Sequence, residues 1–401
     1  MISVELARDK VLAGLQPVGT EVVPLSQSLG RVLADHLVAR VSHPPVAVSA
    51  MDGWAVRAAD VATVPATLKI VGESAAGHPF GGSCGPDGAV RIFTGAPIPH
   101  GADAVVMQER AHLAPDGFVV IEESVPAGKF IRPAGLDFKV DDVLLPANTV
   151  MGARAIGLAA AMNVPWLTVR RRPRVAVLST GDEIALPGDP LGPASLPGSN
   201  GPALCAFVTA AGAEAVHLGI ARDSRVSLQT MLAGFGGCDL VVTTGGASVG
   251  DYDLVKDALA DAGLTLDFYK IAMRPGKPLM FGHLKGVPVL GLPGNPVSAL
   301  VCAVMFLEPM LKRLLGLPSE TPTATAALGR DLPANDERQD YLRASLERRP
   351  DGTLVATPFA VQDSAVLSGM AAADCLAVRP PHAHAAKAGE PVQVIVLPAG
   401  G

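Results

Sequence analysis

Charged side chains in turns are the residues of this chain best suited to chemistry. Acids fall in predicted turns at Asp52, Asp137, Glu183, Asp223, Asp251 and Asp253. Hard oxygen donors combined with phosphate groups suit Mg²⁺, although any one acid is more often a turn former or cap than a ligand. The cations Lys270, Arg274 and Lys277 lie close together in sequence. The even spacing of Lys270 and Arg274 places both on one face of a predicted strand, and with Lys277 they could hold a tetrahedral oxyanion.

Three glycine-bearing loops each follow a short apolar run that predicts a buried strand. The loops are Gly245, Gly246 and Ser248 after Leu240–Thr244, Gly181–Glu183 after Arg174–Thr180, and Pro293–Pro296 after Val287–Leu292. The first runs into a predicted helix at residues 254–262, and backbone N–H groups at such a helix start bind anions. One such loop is usually an ordinary turn. Ligands of open α/β sheets bind beyond the carboxyl ends of the strands, so three loops together predict one crevice.

Composition and motifs exclude several classes of function. With 401 residues, 49% of them hydrophobic, the chain is expected to form about two to four domains. A net charge of −6 argues against a nucleic-acid binder. The five cysteines include no Cys-X-X-Cys pair, so no zinc site or disulfide framework is indicated. No signal peptide and no apolar run long enough to span a bilayer are found, which predicts a soluble cytoplasmic protein.

Standard nucleotide motifs are also missing. Gly276-Lys277 is followed by proline and is therefore not a Walker loop, and the glycines from Gly245 to Gly250 do not have the dinucleotide-binding spacing. No Ser-His-Asp set is suggested, and the histidines lack metal-ligand spacing apart from the weak pair His382 and His384.

The order of the predicted elements indicates a multidomain protein of the α/β plus β class. A helix that Ser3 can cap precedes a small β module of short strands with Gly/Pro turns over residues 43–138. Strands then alternate with helices over residues 174–316, which is typical of a parallel sheet covered on both faces. This part ends in one long helix predicted over residues 296–314. From residue 318 the pattern is β again, which predicts a small barrel or sandwich.

Seven segments resemble one known family. They are Ser49–Val56 (SAMDGWAV), Arg91–Pro97 (RIFTGAP), Gly101–Val106 (GADAVV), Ser179–Glu183 (STGDE), Thr244–Asp251 (TGGASVGD), Arg274–Pro278 (RPGKP) and Leu292–Ala299 (LPGNPVSA). Together, and in this order, they closely resemble the MoeA family of molybdopterin molybdenumtransferases. The E domains of gephyrin and of the plant molybdenum insertases are relatives of that family. The resemblance extends from the first helix to the last strands.

The resemblance implies an elongated homodimer, with the active site between the α/β domain of one subunit and the β domain of the other. It implies small-molecule substrates and transient contact with the molybdopterin adenylyltransferase and with apo-molybdoenzymes, and no nucleic-acid or membrane partner. The implied domains are a helical-β linker domain (1–42 and 139–172), an inserted small β domain (43–138), a molybdopterin-binding three-layer α/β domain (173–317) and a C-terminal β-barrel (318–401).

The implied reaction converts adenylylated molybdopterin and molybdate to molybdenum cofactor and AMP, with Mg²⁺ neutralising phosphate charge. Residues that match the family's site are Asp52, Thr94 and Asp137 of the β domain and Glu183, Asp223 and Asp253 of the α/β domain. The metal ligands are expected among Glu183, Asp223, Asp251 and Asp253. Substrate binding is expected from the glycine loop (Gly245, Gly246, Ser248), from Lys270, and from residues that match the family's molybdate region, namely Arg274, Lys277, Pro278 and Ser298, with Arg343 and Ser364 from the last domain.

Two departures from the family pattern affect this set. Arg274 stands where lysine is common, which keeps the charge and changes its geometry, and Asp363 stands where glycine is frequent. Two other readings are open. A non-catalytic scaffold that binds molybdopterin would need an added recognition segment or domain, and a nucleotide-hydrolysing enzyme on the same α/β domain would leave the segment Asp52-Gly53-Trp54 without a purpose.

Overall fold

The computed structural model describes residues 1–245, 260–261 and 263–398. The chain divides into two compact units, one formed by Val22–Val169 and the other by Met1–Glu21 together with Arg170–Gly401. The strands Thr20–Pro24 and Trp166–Arg170 lie where the chain passes from one unit to the other. Each unit has its own hydrophobic cores.

The Val22–Val169 unit is built around a six-stranded sheet. Its spatial order is Ala104–Met107, Gly53–Val56, Gly88–Ile92, Ala66–Ser74, Phe118–Ile121 and Ala111–Ala114. Ala66–Ser74 and Gly88–Ile92 are parallel, and the other neighbours are antiparallel. A Cβ atom on Gly53 would meet the carbonyl oxygen of Val106 at 1.9 Å. Close approach of two strands therefore requires glycine directly after Asp52.

A second core of this unit lies beneath the helix Ala153–Ala161 and buries Leu33, Met151, Met162 and Leu167. Two short antiparallel ladders belong to the same unit, Leu37–Val38 with Val143–Leu145 and Val48–Ser49 with Ile131–Arg132. Single 3₁₀ turns occur at Leu25–Gln27, Ala58–Val61, Gln108–Arg110 and Pro115–Gly117.

The other unit contains the α/β sheet predicted from the alternation of strands and helices. Its order is Glu214–Ala221, Arg174–Thr180, Leu240–Thr244, Val287–Leu292, Met280–Leu284 and Leu264–Tyr269. The first four strands are parallel, and the last two are added in antiparallel fashion. Successive residues of Arg174–Thr180 enter cores on opposite faces: Val175 and Val177 on one, Ala176 and Leu178 on the other. Burial on both faces explains the continuous apolar runs of the parallel strands.

Helices cover both faces of this sheet. Asn200–Ala210 packs into one core and Arg225–Leu232 into the other. The first helix, Val4–Leu12, joins the Asn200–Ala210 side, and the Ser3 hydroxyl accepts a hydrogen bond from the Leu6 amide at 3.2 Å. The predicted cap is therefore present. A 3₁₀ turn at Ala233–Phe235 and a short parallel pair, Ile184–Ala185 with Leu196–Pro197, complete this part.

The long helix predicted over residues 296–314 is interrupted. It consists of the α-helix Pro296–Cys302, a π-helical segment Ala303–Leu307 and the α-helix Glu308–Leu314. Pro309 has no N–H group, and its ring conflicts with the carbonyl one turn earlier. A wider π turn ahead of the proline accommodates both effects, so the chain stays helical without a break in its buried face.

The C-terminal part forms a closed five-stranded barrel. Its order around the barrel is Gln339–Arg348, Leu354–Pro358, Ala324–Leu328, Pro391–Val396 and Cys375–Arg379, which pairs again with Gln339–Arg348. A short helix, Leu367–Ala371, lies between two of the strands in sequence. The two-residue strand Met273–Arg274 adds to Gln339–Arg348 in parallel. The expected fold class, α/β plus β with a C-terminal barrel, is confirmed.

Candidate functional site

The carboxyl ends of the four parallel strands meet at one edge of the α/β sheet. Thr180 pairs with Ala221, and Thr244 pairs with both Ser179 and Leu292. The strand that follows Thr180 in the chain, Glu214–Ala221, is the neighbour of Arg174–Thr180 at one end of the strand order. The strand that follows Thr244, Leu264–Tyr269, lies at the other end of that order. The point between the strands that end at Thr180 and Thr244 is a topological switch point, where such sheets bind ligands. The loops after Thr180 and Leu292, and Gly245 after Thr244, thus share this carboxyl edge.

One asparagine side chain ties three elements of the edge together. The Asn200 amide donates hydrogen bonds to the Thr244 hydroxyl and to the Gly294 carbonyl, both at 2.8 Å. The Thr244 hydroxyl in turn donates to the Pro293 carbonyl at 3.0 Å. Gly245 has a φ of +96°, and a Cβ atom there would lie 2.2 Å from the Thr180 carbonyl oxygen. Only glycine permits this approach of two strand ends.

Acids gather at the first two strand ends. The Asp223 amide donates to the Asp182 carboxylate at 3.2 Å, and the Arg222 guanidinium donates to the Asp182 carbonyl at 2.9 Å. Burial raises the pKa of Asp223, and the nearby carboxylates of Asp182 and Glu183 raise it further. Glu183 folds back over Gly181, where an added Cβ would lie 2.6 Å from its carboxylate oxygen. Glu183 and Asp223, expected from the sequence, are thus brought together.

Part of the expected set cannot be placed. Gly246, Ser248, Asp251 and Asp253 lie outside the described residues, as does most of the helix predicted over 254–262. Within the described residues, no group of three or more His, Cys, Asp or Glu side chains has the arrangement of a metal site. The expected metal ligands in the described part are therefore Glu183 and Asp223 alone.

The loop Lys270–Pro278, here called the cation loop, lies at the same carboxyl edge. It follows Leu264–Tyr269, and that strand runs in the same direction as Val287–Leu292 because each is antiparallel to the strand between them. The prediction that Lys270 and Arg274 share one strand face is wrong. The strand ends at Tyr269, Lys270 has a left-handed φ of +74°, and Arg274 belongs to the barrel sheet.

The two lysines of the cation loop have different surroundings. The Lys270 ammonium lies 5.1 Å from the centre of the Tyr269 ring. The Lys277 carbonyl accepts hydrogen bonds from the amides of Ile271 and Leu279, both at 3.0 Å, which fixes its backbone ahead of Pro278. Lys277 is half-buried and forms no salt bridge with any carboxylate of the described residues. Within the described part of the chain, its ammonium therefore has no carboxylate partner.

Arg274 is bound by the barrel. Its guanidinium donates to Asp336 at 3.0 Å, to the Asn335 amide oxygen at 3.1 Å, and to Asp340. Asp340 is a buried carboxyl whose side chain is 7% exposed. Burial raises the pKa of Asp340, and the hydrogen bond from Arg274 opposes that rise.

The barrel also brings Ser364 to the carboxyl edge. The Ser364 hydroxyl accepts a hydrogen bond from the Asn295 amide at 2.9 Å, and its carbonyl accepts from the Val297 amide at 3.2 Å. Arg343 is 1% exposed, and its guanidinium donates to the Asp363 carbonyl at 2.9 Å. Arg343 therefore supports the segment that carries Ser364 through a buried contact. Ser298 is buried in the first turns of the helix Pro296–Cys302.

The remaining expected residues lie in the Val22–Val169 unit. The Asp52 carboxylate accepts hydrogen bonds from the Thr94 amide at 2.7 Å and the Thr94 hydroxyl at 2.8 Å. These bonds, and to a smaller degree the charge of Arg91, lower the pKa of Asp52. Asp137 is exposed, and its amide donates to the His43 carbonyl at 3.0 Å. The structure thus brings Asp52 and Thr94 together and gives Asp137 a separate turn.

Arg91 is a residue that the sequence reasoning did not single out. Its guanidinium lies 4.8 Å from the Phe93 ring centre and 5.5 Å from that of Trp54. It donates to the Gly53 carbonyl at 3.0 Å and to the Gln108 side chain at 2.7 Å. The planar guanidinium therefore holds the turn that presents Asp52.

Other neighbours of the expected residues also escaped the sequence reasoning: Asp182, Asn200 and Asn295. Asp182 stands inside the Gly181–Glu183 loop, so its position in that motif was a usable signal. Asn200 and Asn295 show their contacts only when separate strand ends are placed side by side.

The fold and edge define a class of protein: an α/β domain with a ligand crevice at a topological switch point, followed by a β-barrel that contributes to the same edge. Comparison with known proteins agrees. Residues 2–163 match the MoeA N-terminal region (domain I and II), residues 176–313 a probable molybdopterin binding domain, and residues 325–397 the MoeA C-terminal region (domain IV). The chain belongs to the MoeA family, and it is a transferase.

Individual relatives cover most of the chain. It is 38% identical to the molybdopterin molybdenumtransferase of Nostoc sp. over 82% of this chain and 77% of that protein. It is 33% identical to that of Haemophilus influenzae over 98% of both. Two crystal structures of molybdopterin biosynthesis MoeA proteins from Pyrococcus horikoshii superimpose with TM-scores of 0.87 and 0.85, at 31% and 25% identity and over at least 99% of each chain. In the described part of the chain, no helix combines the length and apolar character needed to cross a membrane.

Proposed function

We propose that this transferase inserts molybdenum into molybdopterin, converting adenylylated molybdopterin and molybdate to molybdenum cofactor and AMP in a reaction that depends on Mg²⁺. The observation that carries the proposal is the carboxyl edge of the α/β sheet. Acidic loops at Glu183 and Asp223 and a cation loop with Lys277 lie at this one edge. A phosphate-bearing substrate with a metal ion and a second, oxyanionic substrate requires both kinds of charge.

The donor chemistry of the acidic loops fits Mg²⁺. Repulsion from Asp182 and Glu183 contributes to the raised pKa of Asp223, so a divalent cation bound there would relieve crowded negative charge. We propose that Glu183 and Asp223 hold the ion together with Asp251 and Asp253. Bound Mg²⁺ would neutralise the phosphate and polarise the leaving adenylate. The chain's own acids would orient that cation against the substrate.

The other edge residues would bind the substrates. We propose that the glycine loop of Gly245, Gly246 and Ser248 binds the anionic part of the pterin substrate through backbone N–H groups. Lys277 would hold molybdate by electrostatic attraction. The residues proposed to line the same place are Lys270, Pro278, Ser298 and Ser364, with Arg343 supporting Ser364.

Quaternary structure and surroundings complete the proposal. We propose a homodimer, because dimers with two-fold symmetry are the commonest homo-oligomers. We also propose that Asp52, Thr94 and Asp137 take part in the reaction. The five cysteines are free thiols, which supports a reducing, cytoplasmic location. Transient partners would be the molybdopterin adenylyltransferase that supplies the substrate and the apo-molybdoenzymes that accept the product.

Turnover by the purified protein tests the proposal. The protein is incubated with adenylylated molybdopterin, molybdate and Mg²⁺, and AMP release and active cofactor are both measured. The expected result is stoichiometric AMP and cofactor, abolished when Mg²⁺ is chelated. Binding of the pterin without AMP release would favour the scaffold alternative instead. Light scattering that shows a monomer at micromolar concentration would remove the homodimer.

Lys277→Ala examines the molybdate assignment. The variant is expected to raise the molybdate concentration for half-maximal turnover by about tenfold or more, with binding of adenylylated molybdopterin nearly intact. Lys285→Ala is the matched control, because this exposed lysine lies in the turn before Val287 at the opposite edge of the sheet. A lower melting temperature with an unchanged molybdate requirement would show that Lys277 serves only the fold.

A further inference from the structure

Arg274 is bound on both terminal nitrogens by partners that belong to the protein itself. Its guanidinium contacts Asp336, Asn335 and Asp340, all on the barrel. Asp336 is also bound by the Arg338 guanidinium at 2.6 Å, and this contact lowers the pKa of Asp336. Two guanidinium groups therefore face two carboxylates. No unbalanced positive charge is left on Arg274 for an oxyanion.

The acceptors of Arg274 are held rigidly in place. The Asn335 side-chain amide donates to the carbonyls of Arg338, Arg379 and Pro380 at 2.8, 3.2 and 2.9 Å. Its oxygen is thereby aimed at Arg274, and it also accepts from the Asp336 amide at 3.0 Å. Asn335 and Asp336, which the barrel holds in place, and the buried Asp340 together form a socket for one guanidinium.

The backbone of Arg274 is held at the same place. Met273–Arg274 pairs in register with Gln339–Asp340, and the Gln339 amide donates to the Ala272 carbonyl at 3.0 Å. Main chain and side chain thus attach the middle of the cation loop to the barrel. Two residues after Arg274, Gly276 has a φ of +116° and lies against Cys302, where a Cβ would come within 2.5 Å of the sulfur. Lys277 follows directly after these two attachments.

We infer that Arg274 is a positioning residue: it clamps the cation loop to the barrel so that Lys277, and not Arg274, presents positive charge to the oxyanion. This inference rests on the proposed function. The rigid bidentate fork of arginine suits a socket of two carboxylates and an amide, which a single lysine ammonium cannot fill. Arg274 and the barrel residues 335–340 therefore act together as one structural unit.

The inference predicts in which direction a double variant of the socket changes the molybdate concentration for half-maximal turnover. Neutralising the socket with Asp336→Asn and Asp340→Asn would release the guanidinium. If Arg274 bound molybdate directly, the released charge would lower the molybdate concentration for half-maximal turnover. If Arg274 positions Lys277, the same double variant loosens the loop and raises that concentration, by about tenfold, with kcat changed less than about twofold.

Variants of Arg274 itself provide a second test of its positioning role. Arg274→Gln should raise the molybdate requirement as much as the socket variant does, and the combination of both should add nothing further, because they break one contact set. Arg274→Lys should recover part of the loss through a single bond to Asp340. Lys387→Gln is the control, because it breaks an exposed barrel salt bridge to Asp331 at 2.8 Å and should change nothing.

The outcomes distinguish a failure of the positioning role from a failure of the proposed function. Circular dichroism and melting curves on every variant show which of them fold, and Arg274→Lys keeps the test available should the others not fold. A lowered molybdate requirement in the socket variant, or additive effects of the two changes, overturns the positioning role. A wild-type protein that releases no AMP overturns the proposed function instead, while a double-mutant cycle on unfolding still reports whether Arg274 and Asp340 are coupled.

Discussion

Asp52 and Asp223 are both turn carboxylates, and the structure gives them opposite environments. Asp52 accepts two hydrogen bonds from Thr94, and these bonds, with the charge of Arg91, lower its pKa. Asp223 is half-buried beside Asp182, and burial followed by the neighbouring carboxylates raises its pKa. Asp52 is therefore a charge that its own unit already satisfies, whereas the surroundings of Asp223 disfavour its charged form.

The difference determines how each carboxylate affects stability. Because the pKa of Asp52 is lowered on folding, its contribution is present above the unfolded pKa and disappears as the pH falls through the folded pKa. For Asp223 the sign is reversed: the folded state holds the proton more tightly, so stability falls as the pH rises from the unfolded pKa through the raised one. Groups that oppose folding in this way are common at functional sites.

The largest expected effect is on activity. Asp223→Asn and Glu183→Gln should each reduce AMP release on the order of a hundredfold or more, because each removes an anionic oxygen from the proposed Mg²⁺ site. Asp223→Asn should also keep or raise the melting temperature at neutral pH, since it removes crowded charge. Full AMP release with normal Mg²⁺ dependence in both variants would contradict the metal assignment.

Mg²⁺ should affect the pKa values of Asp223 and Asp52 differently. Added Mg²⁺ is expected to lower the pKa of Asp223, because a nearby cation favours the ionised form, and to leave that of Asp52 unchanged. Carboxyl ¹³C NMR of labelled protein with and without the ion reports both groups in one experiment, independently of turnover. Equal shifts at the two positions would mean a general salt effect and remove the contrast.

A smaller change is expected from the hydroxyl of Thr94. Thr94→Val removes the side-chain hydrogen bond to Asp52 and keeps the backbone one, so the pKa of Asp52 should rise part of the way towards its usual range. Thr94→Ser retains the hydroxyl and serves as the control. The same titration checks the result, and an unchanged pKa in the valine variant would assign the whole effect to the backbone amide.

The smallest expected effect concerns Arg91. Arg91→Gln should raise the pKa of Asp52 less than Thr94→Val does, because Asp52 is exposed, solvent screens the charge of Arg91, and the hydrogen bonds from Thr94 are the larger cause. Arg91→Lys keeps the charge and loses the fork to Gly53 and Gln108. If the lysine variant disturbs Asp52 more than the glutamine variant does, Arg91 acts through the geometry of the turn and not through its charge.

Much of the candidate site could be predicted from the sequence because it depends on local patterns. The apolar runs that end at Thr180, Thr244 and Leu292 are buried parallel strands, and their carboxyl ends share one edge. The cap at Ser3 was also predicted correctly. Such features depend on residues within a few positions of one another, and on the rule that parallel strands bring their carboxyl ends together.

Predictions that depended on distant residues were less complete. Nothing local in the run Arg170–Arg172 indicates that the Arg171 guanidinium binds both oxygens of Asp239, as it does at 2.6 and 2.7 Å. The uniform strand expected through Lys270 and Arg274 is broken, because Arg274 is drawn into the barrel sheet. Arg343 has the charge of a ligand-binding residue but is buried, and its guanidinium donates to the Asp363 carbonyl.

The sequence by itself determined the order of strands and helices, the glycine positions and the set of charged residues available for chemistry. The tertiary structure decided which charges are already neutralised. Arg274 meets Asp336 and Asp340, which lie 62 and 66 positions away in the chain, whereas Lys277 meets no carboxylate of the described residues. A residue type fixes the charge, but the free energy of that charge depends on its burial and on its partners, and only the folded chain supplies them.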